Sequence, residues 1–122
     1  MTFRDAIALV LGVLAAAEPD VEGGSKVPPD RPEEFFWVRR TGGHVTGRVV
    51  DHPQITVTAW AGDSVRALAL ADVGRDALIE AARTSRGWHA TQVASLYDDP
   101  DPDSGADRAT FTAFLTVRAA RS

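Results

Sequence analysis

The sequence predicts an α+β domain, an antiparallel or mixed sheet packed against two helices. Three observations predict it. Residues 6–17 and 64–85 repeat apolar side chains at helical spacing. Residues 53–61 and 108–119 alternate apolar and polar side chains with a period of two. Clusters of Gly, Pro and Asp punctuate the segments between them. The order reads helix, short strand, hairpin, strand, helix, hairpin, and 122 residues make one domain, 1–122.

Each element follows from its residues. Thr2 is placed to cap the first helix, with Asp5 three positions on. Phe3, Ile7, Val10, Leu14 and Ala17 form its stripe. The run at 6–17 also resembles the apolar core of a secretory signal. Only one Arg precedes it, offset by Asp5, so a buried amphipathic helix is the expectation. The run is too short for a membrane span of about 20 residues. Residues 18–32 form a Pro-rich connector in which Lys26 and Val27 are placed to make a short edge strand.

The next stretch, FFWVRRTGG, reads as a strand running into a turn at Thr41, Gly42 and Gly43. Alternation sends Phe36 and Val38 to one face, and Phe35, Trp37 and Arg39 to the other. Residues 44–50 are expected to return as the second arm of a hairpin. Pro53 opens the following strand, with Ile55, Val57 and Ala59 on the core side. Asp63 caps a second helix reaching about Ser85. Its stripe of Ala67, Leu70, Ala71, Gly74, Leu78 and Ala81 is small enough to lie close against a sheet. Gly87 ends it. Residues 88–97 and 108–119 are strands joined by an aspartate-rich loop.

Composition removes several functions. The formal net charge is −4, which opposes broad binding to nucleic acid, since that needs a basic field. The absence of cysteine removes disulfides, thiolate nucleophiles and cysteine zinc sites. His44, His52 and His89 show no metal or general-base spacing, and no serine has the context of a nucleophile elbow. No catalytic residue, cofactor or metal is assigned. Asp99, Asp101 and Asp103 are spaced as in a calcium loop, but the glycine comes one place late and no Glu closes the set. With Asp98 and Asp107 they form a loop of five aspartates. Repeated around a ring, that loop makes an acidic lumen or rim that repels DNA phosphates.

The ordered layout resembles the tail terminator, or tail completion, proteins of long-tailed bacteriophages, in a form similar to those of phages infecting actinobacteria. The residues that carry the likeness are VPPDRPEEFFWVRRTGG, then VVDHPQITVTAWAGDSVRALALADVGRDAL, then RATFTAFLTVRA. The resemblance implies a structural virion protein, not an enzyme. It implies a homo-oligomeric ring, usually of six, that caps the tail tube, stops its polymerisation and offers a surface for joining the head. The implied partners are the major tail tube protein, a head-completion or connector protein, and DNA passing through the lumen without sequence-specific binding. The implied place is the neck of the virion, assembled in the host cytoplasm, with no membrane. Trp37, Arg39, Trp60 and Phe114, on the half-polar strand faces, are the candidate contacts between subunits. The alternatives are another neck component, such as a head-closure protein, and a small host ligand-binding or metal-binding domain using the aspartate loop.

Overall fold

A computed structural model describes residues 2–3, 5–47, 50–93 and 95–120. It is an α+β fold with β1 at Thr2–Phe3, α1 at Ala6–Ala17, β2 at Glu22–Gly24, β3 at Phe35–Thr46 and β4 at Val50–Trp60. Then follow α2 at Ser64–Thr84, β5 at Trp88–Val93, β6 at Tyr97–Asp98 and β7 at Arg108–Ala120. The seven strands form one mixed sheet, ordered β1-β7-β4-β3-β2, with β5 and β6 also on β7. Only β2 runs parallel to its neighbour.

Both helices cover one face of the sheet. Phe36 and Val38 of β3, Ile55 and Val57 of β4, and Phe111 and Leu115 of β7 point into the core. Val10 and Leu14 of α1 meet them, with Leu70 and Leu78 of α2. Gly74 permits this approach: a Cβ there would stand 2.9 Å from a methyl of Leu14 and 3.4 Å from the Phe36 ring. Asp63 caps α2 as expected, accepting from the Arg66 amide at 2.7 Å. Arg66 in turn donates two hydrogen bonds to Glu34, at 2.6 and 3.0 Å, tying the connector to the first turn of α2.

Four expectations about boundaries are corrected. The cap of α1 is Asp5, whose carboxylate accepts from the amides of Ile7 and Ala8. Thr2 and Phe3 instead pair with β7, so neither belongs to the helix. The edge strand forms at Glu22–Gly24, not at Lys26 and Val27. Val21, buried in the core, anchors that segment one residue before the pairing begins. The strand expected over 88–97 divides into β5 and β6, both held by β7.

The largest correction concerns the hairpin. Gly42 and Gly43 do not turn the chain; β3 continues through them to Thr46, and β4 begins at Val50. The register shifts between Arg40 and Gly42, which marks a bulge, and Gly43 sits opposite Pro53. Proline donates no amide hydrogen, so it is tolerated in a ladder where pairing is already irregular. The glycines and the proline therefore mark one shared irregularity on adjacent strands. Gly43 has φ +118°, and a Cβ there would clash with the His52 carbonyl and the Pro53 Cα.

Gly43→Ala is expected to destabilise the fold by about 1–3 kcal/mol. Gly12→Ala, in α1 with open space beyond it, is expected to stabilise by about 0.5–1 kcal/mol. Urea midpoints of the two variants, moving in opposite directions from the parent, check the pair.

Candidate functional site

Fixing one face of the sheet against the helices fixes what the other face presents. Across β3, β4 and β7 the register aligns Phe35, Trp60 and Arg108 in one row. Trp37, Thr58 and Thr110 form the next, and Arg39, Thr56 and Thr112 the third. Hydroxyls bond across the strands. Thr58 meets Thr110 at 2.9 Å, and Thr56 meets Thr41 and Thr112 at 2.8 and 3.2 Å. These short β-branched side chains satisfy one another without water, which lets polar residues occupy buried positions in mid-sheet.

The aromatic residues lie among arginines. The Arg39 guanidinium stacks 3.7 Å above the Trp37 ring and donates to Thr58 Oγ1 at 3.2 Å. Trp37 in turn donates from its indole nitrogen to the Ser25 carbonyl of the connector, at 3.2 Å. Trp60 is covered by Arg31 at 4.2 Å, with Arg108 at 5.0 Å. Cation–π contacts of this kind gain strength as water is excluded.

The candidate contacts therefore separate. Trp60 is only 6% exposed, so the expectation that it stands open is corrected: Arg31 of the connector and Arg108 at the start of β7 close over it. Phe114 is 36% exposed, and Trp37 and Arg39 are half-buried. Trp37 and Arg39 are brought together by their i, i+2 spacing on one strand. Phe114 stands further along the same face, in register with Gln54.

Arg40 takes the opposite face. Its guanidinium grips Asp51 with two hydrogen bonds, at 2.7 and 2.8 Å, and donates from Nε to the Gly42 carbonyl at 3.1 Å. One arginine thus spans the bulge and neutralises a buried aspartate on the partner strand. The Arg40 hydrogen bonds hold the Asp51 carboxyl below the usual aspartate range, outweighing the opposite effect of burial.

The aspartate loop is organised from within. Asp101 accepts from Ser104 Oγ at 2.6 Å and closes a turn with Gly105. Asp99 accepts from Thr110 at 2.9 Å and pairs with Arg108 at 3.4 Å. Arg108 also lies 4.0 Å from Asp101. Two of the five carboxylates are thus compensated by Arg108. Asp98 and Asp103 remain exposed, and Asp107 uses its carbonyl to accept from the Ala61 amide. Among the described residues no group of three His, Asp or Glu side chains is placed to hold a metal ion.

The histidines occupy two regions. His44 and His52 face each other across β3 and β4, their rings stacked 4.7 Å apart. His89 lies on β5, beyond β7. Sequence spacing missed the His44–His52 pair, because hairpin register creates it. It also missed Arg31 and Arg108 as partners of Trp60.

No family model matches the sequence, and no curated protein matches it. Among solved structures, the chain is similar to one from the virion of a native gene transfer agent particle. The match covers 93% of this chain and 91% of that one, at 21% identity and a TM-score of 0.47. No helix among the described residues is long and apolar enough to cross a membrane.

Two predictions follow from the geometry. Trp60→Ala is expected to cost about 3–5 kcal/mol of stability, and Trp37→Ala about 1–2 kcal/mol; chemical denaturation checks the order. The second concerns acid. A depressed carboxylate stabilises the fold above its unfolded pKa of about 4, and that contribution is lost as pH falls through the lower folded value. The urea midpoint of the parent should therefore fall below about pH 4, while Asp51→Asn, less stable at neutral pH, should show a shallower acid decline.

Proposed function

We propose that this chain is a ring-forming structural protein of a long-tailed phage, a tail terminator that caps the tail tube and offers the head its joining surface. The observation that carries the reading is a pair of unlike, unpaired strand edges. β2 covers β3 only at residues 35–37, so residues 38–46 have no outer strand partner among the described residues. On the other side of the sheet β5 pairs, among the described residues, only with β7. Exposed edges invite pairing with another chain. Two different edges on one subunit suit a head-to-tail contact, which closes into a ring when the rotation between neighbours divides a full turn.

The order of helix, Pro-rich connector, strand with paired glycines, capped helix and final strand supports the tail-terminator form of this reading. In it, six copies make the ring, the major tail tube protein lies on one side and a head-completion protein on the other. DNA passes through without being read. Trp37, Arg39 and Phe114 serve as contacts beside the edges, while Trp60 supports them from within the subunit. Asp98 and Asp103 supply what remains of the acidic rim. The protein belongs, on this reading, to the neck of the virion and acts without catalysis or cofactor.

The test is assembly with and without tail tube protein, followed by light scattering and electron microscopy. The expected result is a closed ring that caps tubes and limits their length. A chain that stays monomeric and leaves tube growth unchanged would overturn the proposal. Val45, half exposed on the free edge of β3, provides the specific variant. Val45→Lys should reduce ring formation at least tenfold with little change in stability, because an edge lysine resists strand addition.

A further inference from the structure

Arg39 is a charge that the subunit holds but does not complete. The other part-buried arginines of the sheet and α2 have carboxylates: Arg40 has Asp51, Arg66 has Glu34, Arg75 has Asp72, and Arg108 has Asp99. Arg39 has Thr58 and the Trp37 ring, and among the described residues no carboxylate lies within ion-pair distance of it. Its Nε is enclosed by protein without an acceptor, so it adds to the cost of the charge but is not the atom that an outside group would reach. Burial, and then the nearby charge of Arg108, lower its pKa from the ordinary arginine value; Asp99 and Tyr97 act in the opposite direction. A partly desolvated guanidinium without a counter-ion is costly, and the cost falls when a planar carboxylate meets the fork.

We infer that Arg39, braced on Trp37 and Thr58, receives a carboxylate from a second copy of this chain. The inference rests on the ring reading for the identity of the partner. Charge complementarity selects that partner. The chain carries 17 acidic against 13 basic residues, and Asp20, Glu22 and Asp103 are among the exposed acids that a second copy presents. A polyphosphate fits less well, because Asp99 shares the neighbourhood of Arg39 and repels a chain of anions. Arg and Trp side by side, half-buried at the margin of a covered patch, are also the residue types that dominate interface energies.

The experiment compares the full chain with Arg39→Gln and Arg39→Lys by light scattering over a range of concentration and salt. Urea denaturation is run in parallel, at a concentration where each protein is monomeric. Arg39→Gln should weaken self-association at least tenfold and reduce its salt dependence. It should leave monomer stability unchanged or raise it, since an uncompensated charge is removed. Arg39→Lys should also lose affinity, because an ammonium cannot make the two-pronged contact.

Association of Arg39→Gln equal to that of the parent would overturn the inference and leave the ring reading standing. A parent that stays monomeric throughout would overturn both. A lower monomer stability in Arg39→Gln would assign Arg39 to the fold and remove the inference. So would binding of a single-stranded oligonucleotide that depends on Arg39, which would make phosphate the anion.

Discussion

The whole arrangement depends on one register, the alignment of β3, β4 and β7. On the helix face it brings Phe36, Ala59 and Ala109 into line, then Val38, Val57 and Phe111. Side chains alternate along a strand, so a slip of one residue would turn these apolar groups away from the helices and put Trp37, Thr58 and Thr110 beneath them. Burial of the helix face therefore dictates the composition of the second face. The threonine bonds and the stacking of Arg39 on Trp37 are consequences of that constraint.

The central bulge protects this register while letting β3 extend. Pro53 cannot donate to β3, and the positive φ of Gly43 takes up the misfit opposite it. Arg40 then reaches across the irregularity to Asp51, so the two strands stay joined where the ladder is weakest. This local solution has a wider effect. It carries β3 through residues 42–46 beyond the bulge, and that added length forms much of the outer edge that β2 leaves uncovered. A turn at Gly42 and Gly43 would have produced a shorter sheet with far less edge to offer a neighbour.

Periodicity made much of the fold legible. The stripe of α2, its cap at Asp63 and the alternation of β7 are local properties, written in residues that are near one another in sequence. The hairpin was misread because Gly-Gly has two meanings, a turn or a bulge, and only the strand opposite decides between them. Pro53 held that information ten residues away. The candidate site was legible in the same uneven way. The pairing of Trp37 with Arg39 follows from alternation on a single strand. The burial of Trp60 does not, since Arg31 comes from the connector and Arg108 from another strand. Nothing in the spacing of those residues predicts their convergence.

The contrast between Arg108 and Arg39 is the clearest guide to what the second face is for. Both stand beside tryptophans, on the same side of the sheet. Arg108 is almost enclosed by its own subunit, and the loop that encloses it supplies Asp99 and Asp101. Its energy is settled within one chain, which makes Trp60 and the aspartate loop parts of the fold. Arg39 also stacks on a tryptophan, but among the described residues no carboxylate comes within ion-pair distance of it. A protein of 17 acidic residues does not lack carboxylates to pair with it; the geometry keeps them at a distance. Within the fold that cation is met by the Thr58 hydroxyl and the Trp37 ring, and among the described residues by no ion pair. That divides the patch of Trp and Arg into a half whose arginine finds carboxylates in its own chain and a half whose arginine rests on a hydroxyl and a ring.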